Sequence, residues 1–246
     1  MASVIGRYLK ETRRPVYSAA LVLPFFLIYH TGTLFLKTTY VNGADALITQ
    51  LLSLLSVRSA LASAVVLLLC FIAWQLRTRA PWKIEAPKLA ALFAESCLFA
   101  FLLFALLGWL GTHLSPAAAG ARSPGMIERL ILYCGAGIYE ELVFRLILIC
   151  ALMVLLQDMI GLSHQNAIVL AIMVSAALFS AHHHIVWMDG HLGRSAPFNW
   201  TEFGFRIIAG VYFAVLFAIR GFGITAGTHA FYDILATIVN VVFFDR

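Results

Sequence analysis

Long apolar runs, separated by short polar or basic stretches, set the rhythm of this 246-residue chain. A helix rises 1.5 Å per residue, so about 20 apolar residues cross the roughly 30 Å hydrocarbon layer of a bilayer. On that criterion the pattern predicts seven spans, at about 16–36, 59–76, 92–113, 128–157, 166–187, 203–220 and 222–243. The fourth is long enough to tilt or to project from the membrane. Only Gly221 separates the last two, which must turn back sharply. The stretch 44–57 is apolar over only about 14 residues and reads as an interfacial or re-entrant helix; counted as a span it would make eight. Residues 115–125 and 189–199 read as loops. The first apolar run, about 21 residues long, has no small-residue cleavage site behind it, so it predicts a span and not a cleavable signal peptide.

Composition turns this pattern into a fold class. The chain is 62% hydrophobic and 12% charged, against about 25% charged in a soluble domain, and its mean hydropathy is +0.91. Lipid must be the solvent for much of that surface, and the expected fold is an all-α polytopic membrane protein. Cys70, Cys97, Cys134 and Cys150 all lie inside apolar runs, where free thiols pack as small hydrophobes. The net charge of +5 points to membrane topology and not to nucleic acid. Arg7, Lys10, Arg13 and Arg14 precede the first span, and Arg77, Arg79, Lys83 and Lys88 follow the second. Both clusters are cytoplasmic if 44–57 does not cross, which sets the N-terminus inside and the C-terminus outside.

Ionisable residues inside a bilayer cost at least about 2.5–3.5 kcal/mol each on insertion scales and normally face a polar interior. The span 128–157 has three near its middle: Glu140, Glu141 and Arg145. Glu141 and Arg145, four apart, share a face and can pair. Glu140 points about 100° away and must look for another partner. Two later helices offer candidates. One ends in His182-His183-His184, of which at most one or two can face a single point. The other carries His229 and Asp233, again four apart, with Gly223 and Gly227 to admit a close neighbour. A carboxylate beside an imidazole is what water activation requires. A second His and an Asp can hydrogen-bond a developing oxyanion or steady the first pair.

The residues form three ordered motifs: Glu140-Glu141 with Arg145 fits EExxxR, Phe179 with His183 fits FxxxH, and His229 with Asp233 fits HxxxN/D. This triplet on separate helices resembles the CPBP (Abi) family of intramembrane proteases, which includes the type II CAAX prenyl endopeptidases. The resemblance covers about 120–243. It implies a glutamate-type intramembrane endopeptidase in which Glu140 is the general base and His183 assists it. It also implies that His229 and Asp233 complete the site and stabilise the oxyanion, and that Arg145 holds Glu141. Asp233 stands where prenyl-protease members usually carry Asn. The implied organisation is a motif-free segment, 1–115, and a catalytic membrane domain, 116–246, its bundle formed by the last four helices. The implied partners are membrane lipids and a membrane-anchored or hydrophobic-tailed peptide or protein substrate.

The expected chemistry uses no cofactor. A zinc ion held by Glu140, His183 and His229 is the alternative, since His₂Glu is a catalytic zinc composition, but HExxH is absent. Glu95 is expected to snorkel at a helix end, and His30, His113, His164 and His191 have no partner at useful spacing. A proton- or ion-coupled transporter would also place carboxylates and histidines in helices, but inverted repeats and broken helices in matching positions are not seen. A non-catalytic peptide-binding protein serving immunity or assembly is the other rival, and a haem protein with facing axial histidines a more distant one.

Overall fold

The computed structural model describes residues 4–35, 41–57, 59, 61–110, 125–188, 191–194 and 198–243. Its helices are α1 (Val4–Thr12), α2 (Pro15–Phe35), α3 (Gly43–Leu54), α4 (Ala62–Thr78) and α5 (Ala86–Leu110), then α6 (Met126–Met159) and α7 (His164–His182). The last two are α8 (Trp200–Arg220) and α9 (Phe222–Phe243). Six of them, α2 and α5 to α9, are long and apolar enough to cross a membrane, and the protein is an integral, multi-pass membrane protein of all-α class. The seventh expected span is α4, whose 17 residues cover about 26 Å at 1.5 Å each, the short end of the spanning range. The expected re-entrant segment is α3, only 12 residues long. All four cysteines are free.

Local chemistry starts and stops these helices. Asn42 caps α3, its side chain accepting from the amides of Ala44 and Asp45, and Ser163 and Asn199 do the same for α7 and α8. Gly221 turns the chain from α8 into α9 with φ +83°, a conformation open to glycine at no steric cost. The span expected to reach 187 ends at His182, because the amides of His183 and His184 close onto Ser180 and Ala181. The backbone then pairs Ile185–Met188 with His191–Arg194 in an antiparallel two-stranded hairpin. Part of the expected loop 189–199, His191–Arg194, is therefore strand, and it pairs with Ile185–Met188, whose β-branched and aromatic residues favour extended backbone. Residues 189, 190 and 195–197, and all of the 115–125 loop but Gly125, lie outside the described residues.

α9 is the central helix. It packs on α5, α6, α2 and α8, and more than half of its apolar stretch is buried. A Cβ at Gly223 would stand 2.6 Å from the Cα of Ser18 on α2, and one at Gly137 of α6 would stand 2.7 Å from the carbonyl oxygen of Ala226 on α9. Small residues here let backbones touch, which is how helices associate where lipid offers no hydrophobic drive. The largest core cluster joins Phe25 and Tyr29 of α2, Ile48 of α3, Leu67 and Phe71 of α4, Ile138 and Leu142 of α6, and Phe222 and Ala230 of α9.

α6 is not a uniform α-helix. Leu142–Ile147 and Val154–Met159 are π-helical, and the first comes directly after Glu141. The Ser175 hydroxyl of α7 donates to the carbonyl of Phe144 in that wide turn, at 2.7 Å. At the face that carries the N-terminus, Glu95 does not snorkel. It pairs with Arg220, 2.7 Å from Nη2, and accepts from the Tyr8 hydroxyl at 2.9 Å, which ties α1, α5 and α8 together. Lys88 pairs with Glu11 beside them.

Candidate active site

The site gathers at the opposite end of the bundle, where α6, α7 and α9 each bring a polar group to one cavity. Glu141 and Arg145 pair at 3.0 Å with both side chains fully buried. The Arg145 guanidinium lies 4.3 Å from the centroid of the Phe179 ring and donates to the Gly210 carbonyl at 3.3 Å. A buried charge needs such company, because each unpaired ion would cost several kcal/mol. The same Glu141 oxygen lies 2.7 Å from Nδ1 of His229. A carboxylate only accepts, so Nδ1 carries the hydrogen and Nε2 is turned outward. Arg145, Glu141 and His229 therefore form one chain from the core to the cavity.

Glu140 faces the other way. Its Oε2 lies 3.6 Å from Nε2 of His183 and 3.9 Å from Nε2 of His229. Asp233 Oδ2 is 3.5 Å from that same His229 nitrogen. These separations exceed direct hydrogen bonds and suit a small molecule bonded to more than one of the groups. Nδ1 of His183 lies 2.9 Å from the Phe179 carbonyl, so that nitrogen donates and a neutral His183 presents the Nε2 lone pair to Glu140. Phe179 connects the parts: its ring touches His183 at 4.9 Å and His229 at 5.8 Å between centroids.

Glu140, His183, His229 and Asp233 all line one open cavity of about 540 Å³. Its other walls include Leu107, Leu132, Phe205 and Phe213, so it is apolar except at these groups, at Asn42, Glu202 and Arg206, and at the hydroxyls of Tyr133 and Tyr232. The neighbouring histidines are elsewhere. His182 packs on Phe144, and His184 bonds Arg206 at 3.2 Å and packs on Phe198 and Phe203. His30, read as unpartnered, bonds the Tyr139 hydroxyl at 2.7 Å.

Two residues of the site carried no motif. Nδ2 of Asn42 donates to Oε1 of Glu140 at 2.9 Å. Phe213 of α8 stacks on His229, with centroids 4.4 Å apart and planes 18° apart. The only signal for Asn42 was local: Asn-Gly-Ala-Asp before an apolar run is a helix start, and an amide there is placed to serve a buried carboxylate. Phe213 had none. Among the described residues no group of three His, Cys, Asp or Glu side chains is arranged to hold a metal ion.

No curated protein and no solved structure matches this chain. Residues 122–235, which run from just before α6 through Asp233 and so include all three motifs, match the family model described as Rce1-like, the type II CAAX prenyl endopeptidases, in keeping with the CPBP family.

Proposed function

We propose that the protein is an intramembrane endopeptidase of glutamate type, which cleaves a peptide bond in a membrane-associated protein or peptide. The observation that carries this reading is the approach of Glu140 Oε2 to two imidazoles, 3.6 Å from His183 and 3.9 Å from His229, on the wall of one open cavity. A water held by Glu140 and His183 gives a proton to the carboxylate as its oxygen attacks the scissile carbonyl carbon. The carbonyl oxygen takes up negative charge beside His229 and Asp233. His229, held by Glu141, donates from Nε2 when its ring carries both protons, and Asp233 donates when protonated. The C–N bond then breaks, and the proton passes to the leaving amine.

In this reading residues 116–246 carry the chemistry, and water is activated without a metal; dialysis against a chelator leaves cleavage unchanged. The apolar walls suit a substrate whose hydrophobic tail or lipid anchor enters sideways from the bilayer. The basic residues at 7–14 and 77–88 put the N-terminus in the cytoplasm and the C-terminus outside, so the cavity opens on the outer side.

The test compares membrane peptide profiles from cells with wild-type protein and with Glu140→Gln. The expected result is at least one peptide whose cleavage falls by a factor of about 10²–10⁴ in the variant, the worth of a general base, at equal protein insertion. Identical profiles from equal amounts of folded protein would refute the proposal.

A further inference from the structure

Beyond the motif residues, we infer that Asn42 is a positioning residue that fixes which oxygen of Glu140 faces the reaction. The inference rests on the reading of Glu140 as the base. Its starting point is that the Asn42 amide cannot choose its orientation. Oδ1 accepts from the backbone amides of Ala44 and Asp45, at 2.9 and 3.3 Å, as the cap of α3. A flipped amide would set its own hydrogens against those two N–H groups and its oxygen against a carboxylate. The cap therefore leaves Nδ2 pointing at Glu140, where it donates to Oε1 at 2.9 Å.

The residue is held from behind as well. Its backbone amide donates to the Tyr29 hydroxyl at 3.2 Å, and that hydroxyl donates to Asp45 at 2.6 Å. Asn42 is 9% exposed and Tyr29 fully buried, so the anchor is fixed in the core. With Oε1 occupied, Oε2 has no hydrogen-bond partner among the described residues and is the oxygen near His183 and His229. A carboxylate free to spin would present either oxygen at any angle. One short helix outside the three motif helices thus sets the aim of the base.

Two substitutions separate this role from simple capping. Asn42→Ser keeps a cap as good as Asn, but its shorter side chain has no second arm like Nδ2 to reach Glu140 while its oxygen caps α3. Asn42→Ala loses both. With the peptide whose cleavage distinguishes wild-type from Glu140→Gln membranes, and full-length protein in vesicles, Asn42→Ser is expected to lower kcat about tenfold to a hundredfold. Its KM stays within about twofold of wild type, and its melting temperature is unchanged. Asn42→Ala loses kcat and melting temperature together. Wild-type kcat in Asn42→Ser, or a kcat loss that only tracks a lower melting temperature, overturns the inference. A second measurement needs no substrate: infrared difference spectra, with the Glu140 carboxylate bands assigned through Glu140→Gln. Those bands move in Asn42→Ser if the amide holds Oε1, and bands that stay in place overturn the inference alone. Cleavage by Glu140→Gln would remove the base itself, and the inference with it.

Discussion

Glu140 and Glu141 are neighbours in sequence, yet a 100° step round α6 gives them different work. Glu141 is sealed between Arg145 and His229, with no exposure, while Glu140 lines the cavity. The sealed pair is a structural charge pair whose halves depend on each other. Arg145→Met leaves a buried carboxylate with only an imidazole for company, and should destabilise the protein by about 3–5 kcal/mol. Arg145→Met with Glu141→Gln should recover most of that loss, because the second change removes the stranded charge. Unfolding in mixed micelles measures both. Cleavage should not return in the double variant, since His229 then has lost the charged partner that orients it.

α6 and α9 approach until backbone meets backbone at Gly137, and this contact sets the distance from Glu140 to His229. A Cβ there would meet the carbonyl of Ala226 at 2.7 Å and the amide nitrogen of Ala230 at 2.8 Å, neither of which can swing aside. Gly137→Val should therefore force the helices apart, cost about 1–3 kcal/mol as overpacking does, and lower kcat/KM at least about tenfold. Gly204→Ala is the control, for an added methyl there meets nothing within 4 Å; its activity should match wild type. Much of this level could be read from the sequence. Spacing of four placed Glu141 with Arg145 and His229 with Asp233, and the 100° step correctly set Glu140 apart. The pairing of Asn42 with Glu140 spans 98 positions, and no periodicity connects residues so distant. Phe213, Glu95 and His30 were opaque for the same reason: their partners lie on other helices, and the apolar pattern shows which face is buried but not against what. The end of α7 was misplaced because Ile185, Val186 and Trp187 are as apolar as a span, although their backbone is extended.

The spans alternate in direction, and this puts the cavity and the N-terminus on opposite faces. Val41, Asn42 and His183 line the cavity, while Glu11, Glu85 and Lys88 pair at the far end. Sidedness can be checked with single cysteines in a cysteine-free protein. Ser59→Cys, on the connection after α3, should react with a membrane-impermeant maleimide in intact cells. Lys83→Cys, between α4 and α5, should react only after the membrane is opened. The reverse pattern would make the cavity face the cytoplasm and leave the chemistry untouched.

The wide turns of α6 also decide what length of helix this site tolerates. Hydrogen bonds there reach one residue further than in an α-helix. Each π-helical stretch, 142–147 and 154–159, therefore carries a surplus residue and rotates the next part of the helix by about 100°. The portion that touches α9 and the portion that leans on α7 are thus two dials on one shaft, set differently. Trimming one residue at Leu146 would leave a helix that still crosses the bilayer. It would also spin the lower portion so that Ile149, now buried against α7, looked into lipid.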